Sequence, residues 1–386
     1  MAAPPLRWSR RLPWEHPTNR LTRAVEERKA RGLPIRDLTE TNPTRVGIPY
    51  PEEELAEILH RSADPVYEPH PRGALAAREA LAAYLSTPGD TVSPDDLILT
   101  ASTSESYSFL FKLFGDPGDE VLTTAPSYPL LESLAALEGL CLSHVHLSPG
   151  QRFALDVERL ELSLTPRTRL VALVHPGNPT GAFLSAAEQA AVAGLCASRG
   201  LPLISDEVFA DYPLMDAPRA GPMAAASGEA LSFSLGGLSK SAGLPSWKLG
   251  WIRVGGPAGL RRRAVEALEM VADSYLSVGT PVQRALPGIL ELAPRIRSAI
   301  LERIRRNLEA LRNLPELLEP AGGWSAVLRF GLPQPDEEVA LEILERTGVL
   351  VHPGYFFDFE TDDFLVLSLL PEPARFAEAV RGLPAL

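Results

Sequence analysis

Lys240 is the residue of this chain best suited to covalent chemistry. An unprotonated primary amine attacks a carbonyl carbon, whereas a guanidinium stays protonated and does not. The chain holds four lysines, Lys29, Lys112, Lys240 and Lys248, among 37 basic residues. Where positive charge alone is wanted, it uses arginine, so a retained lysine carries chemical information. For Lys29 and Lys112 chance retention is explanation enough. Lys240 sits in Leu235-Gly236-Gly237-Leu238-Ser239-Lys240-Ser241-Ala242-Gly243, eight residues before Lys248. A lysine shielded from water and near a second cation has a lowered pKa and becomes a nucleophile. Solvent exposure is the plain alternative, and the small neighbours and apolar flanks weigh against it.

Four other segments carry polar groups of matching use. Asp206 closes an apolar run and opens Asp206-Glu207-Val208-Phe209. A carboxylate there needs a cationic or N–H partner; a protonated pyridine nitrogen serves, and so does an arginine. Asn178, in His175-Pro176-Gly177-Asn178-Pro179-Thr180-Gly181, can present its amide to a ligand oxygen or simply turn the chain. His175 beside it reads as a packing residue rather than a base. Tyr128, held between Pro126 and Pro129, can stack on a flat ring or pack its own loop. Ser102, Thr103 and Ser104 open a helical run. They form a phosphate seat at a helix N-terminus, or an ordinary cap with Glu105 in the first turn. Each segment has a plain structural explanation, but five of them, each just past an apolar run, are hard to ascribe to five separate accidents.

The elements that must position these groups follow from the pattern. Short apolar runs at 96–100, 120–123, 170–174, 201–205, 230–234 and 250–254 read as strands. Ala/Leu-rich helical stretches such as 186–198 separate most of them. This alternation predicts an α/β fold with a mainly parallel sheet sandwiched by helices. In such sheets ligands bind beyond the carboxyl ends of the strands, where all five segments lie. Amphipathic helices follow at 261–272 and 295–311. Short strands (325–330, 349–351, 364–369) and helices (336–346, 372–381) then suit a smaller α+β domain. An N-terminal helix is expected at 19–31. The predicted division is an arm with part of the small domain over 1–45, a large domain over 46–285 and a small C-terminal domain over 286–386.

Composition narrows the function classes. Hydrophobic residues make up 45% and charged residues 22%, which is globular. A net charge of −12 argues against nucleic-acid or anionic-membrane partners. No stretch approaches the roughly 18 apolar residues of a membrane span. The Arg10-Arg11 pair lacks the apolar core of a signal that would follow it, so a cytoplasmic location is expected. Cys141 and Cys196 read as packing thiols, with no disulfide framework and no metal-ligand spacing.

In Asn178-Pro179-Thr180-Gly181, then Asp206-Glu207-Val208, then Ser239-Lys240 with Lys248-Leu249-Gly250-Trp251, the chain resembles the class I/II aminotransferases, pyridoxal-phosphate (PLP) enzymes of fold type I. The resemblance covers nearly the whole chain. It implies PLP as cofactor, a Lys240 aldimine, and amino transfer between a small amino acid or related amine and a 2-oxo acid. It further implies that Lys240 shuttles a proton, Asp206 pairs with the pyridine nitrogen, Asn178 donates to the phenolic oxygen and Tyr128 stacks on the ring. Ser102, Thr103, Ser104 and Lys248 would hold the phosphate. Tyr67 and Arg72 resemble the segment that reaches the neighbouring site of a homodimer, Tyr67 touching the partner's phosphate. Three positions depart from the family. Phe209 replaces a tyrosine whose hydroxyl bonds the phenolic oxygen. Gly237 replaces a serine that often meets the phosphate. Val366 replaces the arginine that binds the substrate carboxylate, and Arg45 is the candidate to take its place. A PLP lyase or decarboxylase on the same fold is the neighbouring alternative. A nucleotide-binding loop at residues 236–241 lacks the glycine that should precede Lys240. A ligand-sensing regulator would need an attached DNA-binding segment, and the 1–45 arm is too short and too weakly basic for one.

Overall fold

Every apolar run expected as a sheet strand up to residue 254 is one, and a further strand joins them. In chain order they are β1 (Leu97–Thr100), β2 (Glu120–Ala125), β3 (Cys141–His146), β4 (Thr168–Val174), β5 (Leu203–Asp206), β6 (Ser232–Gly237) and β7 (Gly250–Gly255). The computed structural model describes residues 6–14, 17–216 and 219–383. Parts of the expected arm (1–5, 15–16) and the last three residues of the expected C-terminal domain therefore lie outside the described residues.

The sheet order is β1-β7-β6-β5-β4-β2-β3. β2 to β6 pair in parallel, and β7 runs antiparallel to both β6 and β1. All residues of β1, β2, β5, β6 and β7 are buried, as strands covered on both faces must be. One face packs Ile98, Phe233 and Ile252 against Phe109 and Phe111 of the helix Thr103–Phe114 and Leu268 of the helix Ala258–Asp273. The other packs Val171, Leu173 and Leu203 against Val192 and Cys196 of the helix Ala186–Arg199. That helix begins in a reciprocal cap between Ser185 and Glu188 and ends at Gly200, whose φ of +64° suits glycine.

β3 escapes a reading of apolar runs because it is an edge strand. Its sequence, Cys-Leu-Ser-His-Val-His, buries only Val145. The placement corrects one expectation: Cys141 is exposed, not a packing thiol, while Cys196 is buried.

Beyond the sheet, a 32-residue helix, Thr280–Leu311, accommodates Pro287 and Pro294 and runs across the expected 285/286 division. Ser325–Arg329 pairs antiparallel with Phe364–Ser368, placing Val327 opposite Val366. The expected strand at 349–351 is two short strands in different sheets, Val349–Leu350 and His352–Pro353. The N-terminal segment is woven into this part of the molecule. Arg36–Asp37 pairs in parallel with Val349–Leu350, and Arg20 pairs with Glu338 at 2.6 Å and Glu337 at 3.2 Å. Among the described residues, no helix is long and apolar enough to cross a membrane.

Candidate active site

Strand direction creates the site. β1, β2 and β4 to β6 end at the same edge of the sheet, and antiparallel β7 begins there. The pairings Val174↔Asp206, Asp206↔Leu235, Gly237↔Gly250 and Thr100↔Gly250 fix the register. The loop of Asn178, the carboxylate of Asp206, the turn of Lys240 and the helix opening at Thr103 therefore share one edge, as the sequence pattern predicts.

Lys240 rides on a one-turn helix, Leu238–Ser241, directly after β6. Its carbonyl accepts a 2.5 Å hydrogen bond from the Tyr212 hydroxyl, which anchors the turn. Its half-buried side chain brings Nζ to 4.7 Å from the ring centre of Trp324 and 5.4 Å from that of Phe209. Burial pushes the amine down to about 8, and the Asp206 charge opposes that shift.

Asp206 is buried at the end of β5. Its Oδ2 accepts from the Tyr107 hydroxyl and its Oδ1 from the Val208 N–H, both at 3.2 Å. Burial pushes its carboxyl up to about 6, against these hydrogen bonds and the Lys240 charge, so at pH 7 it remains largely ionised. Glu207, next along the chain, makes a different set of contacts. It accepts from Met223 N–H and the Ser234 hydroxyl, each at 2.8 Å, and burial raises it to about 7.

The turn before the helix Thr103–Phe114 realises the cap. Ser102 Oγ accepts from Glu105 N–H at 3.2 Å, and Glu105 accepts from Ala101 N–H at 2.7 Å. Among the described residues, the backbone N–H groups of Thr103 and Ser104 have no protein acceptor, as is usual for a first helical turn. They constitute a ready anion seat. Two glycines let β6 and β7 press against it. A β-carbon on Gly250 would lie 2.9 Å from the Ser102 backbone carbon, and one on Gly237 would lie 3.3 Å from Leu249 O. A side chain at Gly237 would sit tightly against the Leu249 and Gly250 backbone. Tyr128 is half-buried nearby; burial and the Asp206 charge raise its hydroxyl pKa.

Asn178 is half-buried in a turn closed by Gly181 N–H to Gly177 O at 2.7 Å. Gly181, at φ +68°, abuts Gly322 so closely that a β-carbon would come within 2.3 Å of its carbonyl oxygen. His175 is a packing residue: its Nδ1 accepts from Leu184 N–H, its ring meets Phe183 edge-on, and burial lowers its pKa to about 4.

Lys248 is exposed, with φ +50°, two residues before β7. Tyr67 is 66% exposed and lines a groove with His70, Phe109 and Leu276. Arg72 pairs with Glu269 at 3.2 Å. Arg45 is exposed and lines a surface groove with Arg36, Glu40, Glu372 and Arg375 that does not include Lys240. Val366 packs among Phe153, Val327, Phe359 and Phe364.

Three site residues are not evident in the sequence: Tyr107, Tyr212 and Trp324. Tyr107 lies one helical turn below Thr103, and that spacing was the available signal, masked by the aromatic run it shares with Phe109 and Phe111. Trp324 comes from beyond residue 280, and no local pattern links it to Lys240.

Comparison with known proteins agrees with this architecture. The family model for aminotransferase class I and II matches residues 53–380. An alanine aminotransferase of Mycobacterium tuberculosis is 27% identical over 370 residues, covering 92% of this chain and 86% of the relative. The glutamate-pyruvate aminotransferase AlaA of Haemophilus influenzae is 24% identical over 366 residues, covering 91% and 90%. Among solved structures, an alanine aminotransferase from Pyrococcus furiosus superposes with a TM-score of 0.86 at 23% identity, covering 97% of this chain and 98% of the other. An aspartate aminotransferase from Thermotoga maritima gives 0.83 at 24%, with the same coverage. These structural likenesses bear on the fold, which is that of the fold type I aminotransferases.

Proposed function

This chain belongs to the aminotransferase class I and II family, and from that premise we propose that it holds pyridoxal phosphate at the Lys240 edge of the sheet and acts on small substrates of the alanine and pyruvate kind. It is an enzyme that transfers an amino group between an amino acid and a 2-oxo acid. The substrate size rests on the names of its relatives. The family and those names support transfer over lyase chemistry.

The observation that carries the cofactor reading is the pairing of Lys240 and Asp206 at adjacent strand ends, one a buried carboxylate, the other an amine with its pKa lowered to about 8. The donor set fits the cofactor. The free N–H groups of Thr103 and Ser104, with their hydroxyls and Ser102, suit a phosphate at a helix N-terminus. Asp206 suits a protonated ring nitrogen, Tyr128 a flat ring, and Asn178 a phenolic oxygen. When bound, pyridoxal phosphate supplies an aldehyde for amines and a protonated ring that takes up the electron pair of a departing α-proton.

The chain's own residues do the rest. Lys240 would hold the cofactor through its amine and would move the proton at the substrate's α-carbon. Asp206, when ionised, would keep the ring nitrogen protonated. Tyr107 and Val208 hold the carboxylate in place. Phe209 and Trp324 keep water from the Lys240 amine. Tyr67 and Lys248 complete the phosphate contacts in a homodimer, a reading supported by the exposed side chains of Val66, Tyr67, Leu75, Tyr275 and Leu276.

Borohydride reduction of the loaded protein, followed by peptide mapping, tests this. The reduced adduct should sit on Lys240. An adduct on Lys248, or on no lysine, overturns the reading.

A further inference from the structure

Trp324 is nearly sealed, at 2% exposure. Phe209 and Tyr212 meet its indole edge to face at 5.4 and 5.0 Å, and the Lys240 amine stands 4.7 Å from its ring centre. An indole N–H can only donate, and a buried one nearly always finds an acceptor. The Trp324 Nε1 is buried with no hydrogen-bond partner among the described residues. A donor left in this state beside a reactive amine needs an account.

The reaction provides an acceptor. The amino acid and the 2-oxo acid both carry a carboxylate on the carbon next to the one that reacts. That carboxylate enters a part-buried site and must meet donors there. Two guanidinium groups are already paired: Arg297 with Asp211 at 3.0 Å and Tyr84 at 2.6 Å, and Arg329 with Asp363 at 2.7 Å. The strand pair 325–329 and 364–368 presents Val327 and Val366 within an apolar cluster.

We propose that the Trp324 indole N–H donates a hydrogen bond to the substrate's α-carboxylate, making Trp324 a specificity-determining residue that selects acids over plain amines. This inference rests on the Lys240 reading above.

The test compares two ligands of the holoenzyme that lack an α-hydrogen and so do not turn over. They are 2-methylalanine and tert-butylamine, in which a methyl replaces the carboxylate. Trp324→Phe keeps the ring contacts and removes the N–H. It should weaken 2-methylalanine roughly tenfold or more, the scale of a hydrogen bond to a charged group, and leave tert-butylamine unchanged. In the wild type labelled with ¹⁵N at its five tryptophans, the Trp324 N–H resonance should move on adding 2-methylalanine and stay put with tert-butylamine. Replacing the other four tryptophans assigns that signal even if Trp324→Phe does not fold. Equal weakening of both ligands, no weakening, or a static resonance overturns the proposal. A wild type that takes up no cofactor overturns this proposal and the Lys240 reading together.

Discussion

Lys240 and Asp206 set each other's proton affinity. Burial disfavours charge on both, and each one's charge favours charge on the other. The free amine is the form that attacks a carbonyl, and its pKa is lowered to about 8. The rate at which cofactor-free protein takes up pyridoxal phosphate should therefore rise with pH through about 8 and then level off. The sign of the Asp206 contribution is also determined. A neighbouring carboxylate raises the amine's pKa, so Asp206→Asn should shift the midpoint downward, below that of the wild type. Stopped-flow absorption across pH measures both curves. An upward shift in the variant would mean that Asp206 does not act on Lys240 through its charge.

At the level of elements, the site depends on how closely β6 and β7 pack against the helix Thr103–Phe114. Gly250 is where backbone meets backbone. An added β-carbon would sit 2.9 Å from the Ser102 carbonyl carbon and 3.1 Å from the Thr103 nitrogen. Neither can yield without moving the first helical turn. Overpacking of this kind costs about 1–3 kcal/mol. Gly250→Ala should accordingly bind pyridoxal phosphate roughly tenfold or more weakly while keeping its secondary structure. Equilibrium cofactor titration with circular dichroism separates these effects. Unchanged affinity would show that the phosphate does not seat on this helix.

For the whole molecule, the exposed apolar residues around Tyr67 and Leu276 are the ground for a homodimer. Sedimentation should give about twice the 41.8 kDa of the chain. Leu276→Asp buries a charge in the proposed interface. It should produce a monomer and lower cofactor affinity, because Tyr67 no longer reaches the neighbouring phosphate seat. A monomeric wild type with full cofactor affinity would contradict this assembly. The N-terminal arm shows long-range construction of another kind: Arg36–Asp37 completes a sheet with Val349–Leu350, a contact spanning more than three hundred residues.

The amino-acid sequence by itself determined which groups stand at the strand ends. Lys240, Asp206, Asn178 and the Ser102–Ser104 turn were legible because each lies just past an apolar run, and parallel strands collect their carboxyl ends on one edge. It equally determined the buried strands, whose apolar runs are a local property. Other features were decided only by tertiary structure. β3 is half polar because it is an edge strand, so no local pattern marks it. Tyr107 was hidden among aromatics of the same helix, and its tie to Asp206 depends on which strand that helix covers. Arg45 is exposed in a groove with Arg36, Glu40 and Glu372, a setting that no local pattern announces. Trp324, distant in sequence, supplies the wall against which the Lys240 amine rests. Such pairings depend on how the chain returns to the sheet edge, and that is set by packing of the whole core rather than by residue type or spacing.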